Sequence, residues 1–428
     1  MTKIIPVALF FLSFFASLVS NAILRTYSKR KQILLDRPDK YRKFHKNPTP
    51  LTGGLGISIG IIFSAIFLLF FMGSTYKLEF SNQVENFNNM NQGQPYELKL
   101  DNGVKVIIKK YDNDSFTMLL PSGETLLYTI SPNSEITQLP SIKINDQNNV
   151  IQLNNFGIGL IFFTLIVQLV MLFDDLKNLS AFKRLTLQSL CVLGLIIVSG
   201  VYIKSLGNLL GFGEINLGYF GIPFTVFCVV GIMNAFNMID GLNGLCASIC
   251  LICFSAIIFM MNANNIPSLF PLILPVGAIC GFLMYNMGLL GEQRTVFLGD
   301  NGSNALGFMC AWVLIYFSSN IENSFAPVTA LWFVAIPFFD AVRVMIYRLL
   351  EGIKVFNAGR EHIHHKLFDA GFSNTHIYLI LMSISIIFVV IGIIFNNSFP
   401  INHYYSFYSF LIFWACYYLS TKLIKKNV

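Results

Sequence analysis

The sequence predicts an all-α polytopic membrane protein that carries a small β-rich insertion outside the membrane. Of its 428 residues, 54% are hydrophobic and only 12% are charged, whereas soluble domains usually carry about 25% charged residues. Many apolar segments reach about 20 residues, the length that spans a bilayer as a helix. One long polar segment, residues 74–153, interrupts them. The lipid bilayer is therefore the first predicted partner.

Eleven segments are candidate spans, or ten, because the boundaries within residues 185–236 and 304–342 are indistinct. They are residues 4–24, 51–72, 156–173, 185–203, 217–236, 244–261, 269–287, 304–318, 327–342, 377–395 and 405–421. The first is expected to be retained, because its positive cluster follows the apolar run, the reverse of a signal peptide. The N-terminus is then outside and the C-terminus cytoplasmic.

This orientation agrees with the distribution of positive charge. The predicted cytoplasmic loops hold 21 of the 29 Lys and Arg residues, as the positive-inside rule requires. The net charge of +7 is thereby explained by topology, and no nucleic-acid partner is expected.

Three regions are predicted: residues 1–73 with two helices and a basic loop, residues 74–153 as an extracytoplasmic insertion, and residues 154–428 as a transmembrane catalytic core. Within the insertion, β-type runs at Tyr96–Leu100, Val104–Tyr111, Phe116–Leu120 and Glu124–Ile130 are separated by Asp-, Asn-, Gly- and Pro-containing turns. This pattern is typical of hairpins. We expect a small antiparallel sheet without a catalytic role.

Asp174 and Asp175 lie where a predicted span meets the cytoplasm. Adjacent carboxylates repel each other and are costly at a bilayer boundary unless a cation or proton compensates them. A solvated helix end, with the aspartates paired to Lys177 or Arg184, is the alternative.

The next cytoplasmic junction places Asn234, Asn237, Asp240 and Asn243 at intervals of three residues. On a helix this spacing follows one face, and oxygen ligands favour magnesium or another hard cation over zinc. Polar packing between helices is the alternative, but it explains four such residues poorly.

Two further junctions indicate phosphate binding. The run Phe297–Ser303 is a glycine-rich turn that leads into a helix, so its N–H groups suit a phosphate and Asp300 suits a cation that bridges it. An ordinary turn capped by Asn301 or Ser303 is the alternative. The run Arg360–Lys366 combines Arg, His and Lys, as expected for a cradle of anionic phosphates.

A fifth basic cluster, Arg42–Lys46, precedes Pro48, Pro50 and Gly53–Gly54 at the second span. A single basic flank usually contacts lipid headgroups. However, all five clusters lie on one side of a topology that was assigned from Lys and Arg alone.

These motifs resemble the polyprenyl-phosphate N-acetylhexosamine-1-phosphate transferases, a family of bacterial membrane enzymes. The matching stretches are Lys46–Gly54, Asp174–Gln188, Asn234–Leu245, Phe297–Ser303 and Arg360–His365. The resemblance implies transfer of a sugar 1-phosphate from a UDP-N-acetylhexosamine to a polyprenyl phosphate, with release of UMP and with Mg²⁺, or alternatively Mn²⁺, as cofactor.

The resemblance also implies a role for each candidate residue. Asp174 and Asp175 flank the lipid phosphate and Arg184 binds it, while Asn237 and Asp300 are the implied metal ligands. Asp240 is a catalytic candidate with Asp174, Asp175 and Asp300. Lys46, Asp240 and Phe297 match positions that hold the nucleotide. The remaining substrate-binding candidates are Asn234 and Asn243 at the second junction, and Arg360, His362, His364 and His365 for pyrophosphate and sugar. At Asn243 many members of the family carry Asp.

The predicted function is GlcNAc-1-phosphate transfer to undecaprenyl phosphate in the bacterial inner membrane, as the first step of a cell-surface glycan. Phospho-MurNAc-pentapeptide transfer is the alternative within the family, and a secondary transporter of anions is the alternative from another class. A homodimer and an extracytoplasmic partner of the insertion are left open.

Overall fold

A computed structural model describes residues 4–38, 47–75, 95–99, 105–110, 115–119, 125–130, 136–138, 149–177, 179–261, 266–319, 325–354, 359–399 and 403–424. The chain divides into two compact units. One comprises Met1–Ala65 with Gly159–Val428, and the other Ile66–Ile158. The predicted division at residues 73 and 153 stays a prediction.

Helices account for most of the described chain. They are α1 (Ile4–Lys31), α2 (Gly53–Thr75), α3 (Asn149–Lys177), α4 (Ala181–Ser199), α5 (Gly221–Ile239), α6 (Leu245–Met260), α7 (Ile266–Asn286), α8 (Gly299–Ser319), α9 (Pro327–Phe333), α10 (Ala335–Leu350), α11 (Ile363–Asp369), α12 (Asn374–Ser398) and α13 (His403–Leu423).

Several of these helices are long and apolar enough to cross a membrane. Among the described residues they are Pro6–Lys31, Phe156–Lys177, Ala181–Ser199, Gly218–Ile239 and Asn374–Ser398. The chain is therefore a multi-pass membrane protein, as predicted. The bent pair α9 and α10 would make a sixth span, so the predicted count of about eleven is not confirmed.

Two of the predicted spans do not form a single straight helix of full membrane-spanning length. Helix α6 has only 16 residues, about 24 Å at 1.5 Å per residue, which is less than the hydrocarbon thickness of about 30 Å. Helices α9 and α10 meet at an angle of 82° on either side of Val334. Sequence hydropathy registers such segments as apolar but does not show where a helix breaks.

Close backbone contacts hold the helical unit together. Ser13 of α1 donates a hydrogen bond to the carbonyl of Leu274 in α7 at 2.6 Å. A Cβ added at Gly277 would lie 2.4 Å from the carbonyl oxygen of Phe10. Small residues therefore permit α1 and α7 to approach at backbone distance, as is common between membrane helices.

The second unit contains an antiparallel sheet. In the other unit, β1 (Leu35–Asp36) and β2 (Thr49–Pro50) pair with each other. The sheet itself has the order β3 (Pro95–Lys99), β4 (Lys105–Lys110), β5 (Ser115–Leu119), β6 (Thr125–Ile130) and β7 (Ile136–Gln138). Strands β3, β4, β5 and β6 lie within one residue of the four predicted runs, whereas β7 was not predicted. The extracytoplasmic location of this sheet stays a prediction.

Candidate active site

The paired aspartates lie at the C-terminal end of α3. The buried Asp174 accepts a hydrogen bond from the backbone N–H of Leu179 at 2.7 Å, and its second oxygen lies 3.8 Å from the guanidinium of Arg184. Lys177 instead places its amino group 4.7 Å from the ring centre of Phe173. Asp174 is thus paired with Arg184, one of the two partners considered from sequence.

Asp175 is connected to the start of α8. Its carboxylate accepts a hydrogen bond at 3.3 Å from the side-chain amide of Asn301, which is fully buried. The same amide lies 3.3 Å from the carbonyl of Leu51. Asn301 therefore joins three segments that are far apart in sequence.

The glycine-rich turn before α8 is also in contact with the segment that leads into α2. The N–H of Phe297 donates to Pro50, and the carbonyl of Phe297 accepts from Gly53. A Cβ at Gly54 would lie 2.4 Å from the Cα of Gly302, so no side chain fits there. Gly299 has φ +76° and begins α8, which places Asn301 and Ser303 inside the helix and not at its cap.

The third element is the end of α5. Asn237 donates a hydrogen bond to Ser303 at 3.0 Å and another to the carboxylate of Asp300. Helix α5 ends at Ile239, so Asp240 and Asn243 lie on a turn. The expectation that all four oxygen-bearing residues follow one helix face is therefore wrong, because the chain leaves the helix after the second of them.

Carboxylates meet around the start of α8. Asp300 interacts electrostatically with Asp174, Asp175, Asp240 and Asp36. Burial, and then the charge of Asp300, raise the pKa of Asp240 well above its usual range. Arg184 supplies positive charge beside Asp300, but the surrounding carboxylates outnumber it, so negative charge is in excess.

An excess of carboxylates is the chemistry that a hard cation neutralises. Within the described ranges no three His, Cys, Asp or Glu side chains form a ready-made metal cage. The candidate set is different, because it combines the Asp300 carboxylate, which keeps an exposed surface, with the amide oxygen of Asn237. Magnesium accepts such a set because it usually retains several waters and binds substrate phosphates. The residues present fit the ion.

Asn234 belongs to a chain of side-chain amides, of which Gln188 and Asn304 are buried. Its amide donates to Gln188 at 3.0 Å, Gln188 donates to Asn304 at 2.7 Å, and Asn304 donates to the carbonyl of Asp300 at 2.8 Å. This chain connects α5, α4 and α8 beneath the carboxylates. The geometry gives Asn234 a part in orienting Asp300, and its predicted contact with substrate stays a prediction.

The histidine loop, residues 360–366, closes onto the Asp240 turn. A Cβ at Gly241 would lie 2.1 Å from Nε2 of His364, so the imidazole lies directly on the glycine backbone. His364 is 5% exposed, and neither ring nitrogen has a hydrogen-bond partner among the described residues. Because buried polar groups usually have a hydrogen-bond partner, these two ring nitrogens are candidates for hydrogen bonds to a ligand.

Two histidines of this loop, His364 and His365, are neutral at physiological pH. Burial, and then the charge of His365, lower the pKa of His364 to about 3. Burial, and then Arg360, lower the pKa of His365 to about 4. Arg360 and Lys366 supply positive charge in the loop, and the rings of His364 and His365 serve as hydrogen-bonding groups.

The remaining predicted residues are Lys46, Asn243 and Arg360. Lys46 falls outside the described residues, so its role stays a prediction. Asn243 is exposed on the turn after Asp240, while Arg360 pairs with Asp369 at 3.1 Å. Asn286 was not predicted, although it accepts from the N–H of Gly244 and donates to the carbonyl of Val296 at 2.8 Å. A lone Asn inside an apolar segment was the available signal.

Comparison with known proteins identifies the family. A family model described as glycosyl transferase family 4 matches residues 157–318. Proteins named undecaprenyl-phosphate α-N-acetylglucosaminyl 1-phosphate transferase are 34% identical over 222 residues in Yersinia pestis and 33% identical over 249 residues in Haemophilus influenzae. These matches cover 52% and 57% of this chain, and 61% and 69% of the respective relative.

The fold and site define a multi-pass membrane protein with a carboxylate-rich centre. The chain belongs to glycosyl transferase family 4, together with the sugar-phosphate transferases that its motifs resemble, so the predicted family is confirmed. The matched region spans about three fifths to two thirds of the length of these curated relatives.

Proposed function

We propose that this protein transfers N-acetylglucosamine 1-phosphate from UDP-N-acetylglucosamine to undecaprenyl phosphate and releases UMP, in the bacterial inner membrane, as the first step of a cell-surface glycan. The observation that carries the proposal is the meeting of Asp174, Asp175, Asp240 and Asp300 at the start of α8. The names of the relatives support undecaprenyl phosphate as the acceptor and N-acetylglucosamine 1-phosphate as the transferred group.

The reaction requires two anions to meet. An oxygen of the lipid phosphate attacks the phosphorus that bears the sugar, and the bond from that phosphorus to the oxygen of UMP breaks. A phosphate monoester has a second pKa near 6, so the nucleophile is already largely dianionic at neutral pH. A general base would add little.

Catalysis is therefore assigned mainly to positioning. Arg184, which lies beside Asp174, holds the lipid phosphate. Asp175 is held in position by its hydrogen bond from Asn301 at the start of α8. Asp240 and Phe297 line the nucleotide-binding site. Magnesium held by Asn237 and Asp300 would supply charge neutralisation of the diphosphate and of the departing UMP.

The test is a defined reaction in detergent. Purified protein is incubated with Mg²⁺, undecaprenyl phosphate and a panel of UDP-sugars, and the released nucleotide is identified by chromatography. UMP released only with UDP-N-acetylglucosamine, with an equal amount of lipid-linked diphosphate sugar, is expected. Release of UDP would indicate transfer of the sugar alone and would overturn the proposal, as would activity that persists in excess EDTA.

A further inference from the structure

A buried carboxylate in α10 belongs to none of the recognised motifs. Asp340 is 2% exposed and receives four hydrogen-bond donors. They are His362 Nδ1 at 2.8 Å, the backbone N–H of Ile363 at 3.0 Å, the guanidinium of Arg343 at 2.7 Å and the hydroxyl of Tyr417 at 3.2 Å. A buried charge persists only when it is compensated in this way.

The donors come from three parts of the chain. Arg343 lies one turn further along α10, Tyr417 lies in α13, and His362 and Ile363 begin the short helix α11. Arg343 also donates to the carbonyl of Glu361, whose carboxylate pairs with Arg348 at 2.7 Å. Residues 361–363 are thus fixed to α10 through both backbone and side chains.

The contact with Asp340 also fixes the chemistry of His362. A carboxylate that accepts from Nδ1 keeps the proton on that nitrogen and orients Nε2 away from it. His364, two residues later, lies on Gly241 next to Asp240. The position of the loop relative to the carboxylate centre therefore depends on how residues 362 and 363 are held.

We propose that Asp340 is a positioning residue that fixes the histidine loop against the Asp240 turn, so that the loop can close on the diphosphate and sugar of the donor. Asp340 itself touches no reacting atom. The inference rests on the proposed function, because that function supplies the ligand on which the loop closes.

The kinetic test uses Asp340→Asn. An amide offers one acceptor oxygen where the carboxylate offered two, so its NH₂ group must face a former donor. We expect KM for UDP-N-acetylglucosamine to rise about 10-fold or more while KM for undecaprenyl phosphate changes less than about twofold. Tyr417→Phe is the matched control, because it removes one donor and leaves both loop contacts intact. Equal rises in both KM values, or no rise, would overturn the inference.

A second measurement does not need substrate. Diethyl pyrocarbonate modifies accessible neutral imidazoles, and mass spectrometry reports the rate at each histidine. His364 should react slowly in the wild type and at least several-fold faster in Asp340→Asn, while the exposed His376 keeps its rate. An unchanged rate of modification at His364 in folded Asp340→Asn would contradict the inference.

The two measurements distinguish failure of the proposed function from failure of the proposed role of Asp340. A wild type that transfers no sugar phosphate refutes the proposed function, yet the labelling comparison still tests whether Asp340 holds the loop. If Asp340→Asn does not fold, Asp340→Glu is used for the same comparison, because it keeps the charge and displaces the carboxylate by one methylene. Wild-type labelling and KM values in that variant would again count against the inference.

Discussion

At the scale of single residues, Asp300 is the point where the charge interactions of the site meet. It hydrogen-bonds to Asn237 and interacts with the carboxylates of Asp174, Asp175 and Asp240. Its side chain remains accessible at the start of α8, so a cation can reach it without rearrangement of the fold. Substitution of this residue should therefore affect catalysis more than folding.

Asp300→Asn should lower kcat by about 100-fold, the order expected when one electrostatic partner of a reacting phosphate is removed. It should also raise the Mg²⁺ concentration required for half-maximal rate. The matched control is Glu292→Gln, an exposed acid in the loop before α8, which should leave both quantities unchanged. Activity of Asp300→Asn within threefold of wild type, at the same Mg²⁺ requirement, would exclude Asp300 as a metal ligand.

Gly241→Ala should raise KM for the nucleotide sugar about 10-fold, because the added methyl group would lie 2.1 Å from Nε2 of His364 and must displace the ring. Gly231→Ala is the matched control. It lies in α5, where an added Cβ meets nothing within 4 Å, and it should behave as wild type. The measurement is the steady-state KM for the nucleotide sugar in both variants. Equal KM values would show that displacement of the His364 ring does not affect binding of the nucleotide sugar.

The sequence predicted the acidic residues of the site but not the residues that hold the site in position. Asp174, Asp240 and Asp300 are conspicuous because a charge at a span boundary is costly without a function. Asn301, Gln188 and Asn286 are uncharged amides within or beside apolar segments, where polar helix packing explains a single amide equally well. Asp340 was missed for a related reason, since its four donors come from residues up to 77 positions away.

At the scale of elements, the histidine loop differs most from the sequence-based expectation. A cluster of Arg, His and Lys indicated a cationic cradle, yet burial keeps the rings of His364 and His365 neutral. A sequence gives the residue types but not the desolvation that decides their charge. The neutral rings of His364 and His365 make this part of the loop a source of hydrogen bonds, while Arg360 and Lys366 supply positive charge.

This burial predicts a pH dependence of stability. The pKa of His364 is about 3 when folded and about 6.5 when unfolded, so the unfolded chain takes up a proton as pH falls below 6.5 and the folded protein does not. The contribution of neutral His364 is complete above pH 6.5 and is lost progressively towards pH 3. At pH 5 the loss is on the order of 2 kcal/mol.

The measurement is the thermal unfolding midpoint in detergent between pH 7.5 and 5. The midpoint of wild type should fall as pH decreases, and His364→Gln should show a weaker dependence because its amide does not titrate. His376→Gln changes an exposed histidine and should follow wild type. Parallel curves for wild type and His364→Gln would contradict the assigned burial.

At the scale of the whole molecule, composition predicted the membrane class and the insertion, while the number of spans was not confirmed. Periodicity and hydropathy are local properties, so they located four strands of the sheet within one residue. The bend between α9 and α10 and the short α6 depend on what surrounds them. The buried Trp332, for example, donates to Ser406 of α13 at 2.9 Å, a contact that hydropathy does not encode.

The insertion can be tested as a separate part of the molecule. Every candidate site residue that the structure describes lies in the unit Met1–Ala65 with Gly159–Val428, and none lies in Ile66–Ile158. Replacement of residues 76–148, between α2 and α3, by a Gly/Ser linker of about 15 residues gives a reach of about 20 Å. We expect transfer of the sugar phosphate within about threefold of wild type, because catalysis depends on groups at the start of α8.

The control for this deletion is the same variant with Asp300→Asn, which should again lower kcat by about 100-fold and so assign the remaining activity to the same site. A deletion that is expressed, extracted and folded like wild type but transfers no sugar phosphate would give the insertion a part in catalysis or in access of the polyprenyl substrate. A rise confined to KM for undecaprenyl phosphate would show that the insertion acts on access of the lipid substrate, because nucleotide binding at Asp240 and Phe297 would be unaffected. Retained kinetics for both substrates would instead assign the sheet to a role outside the reaction.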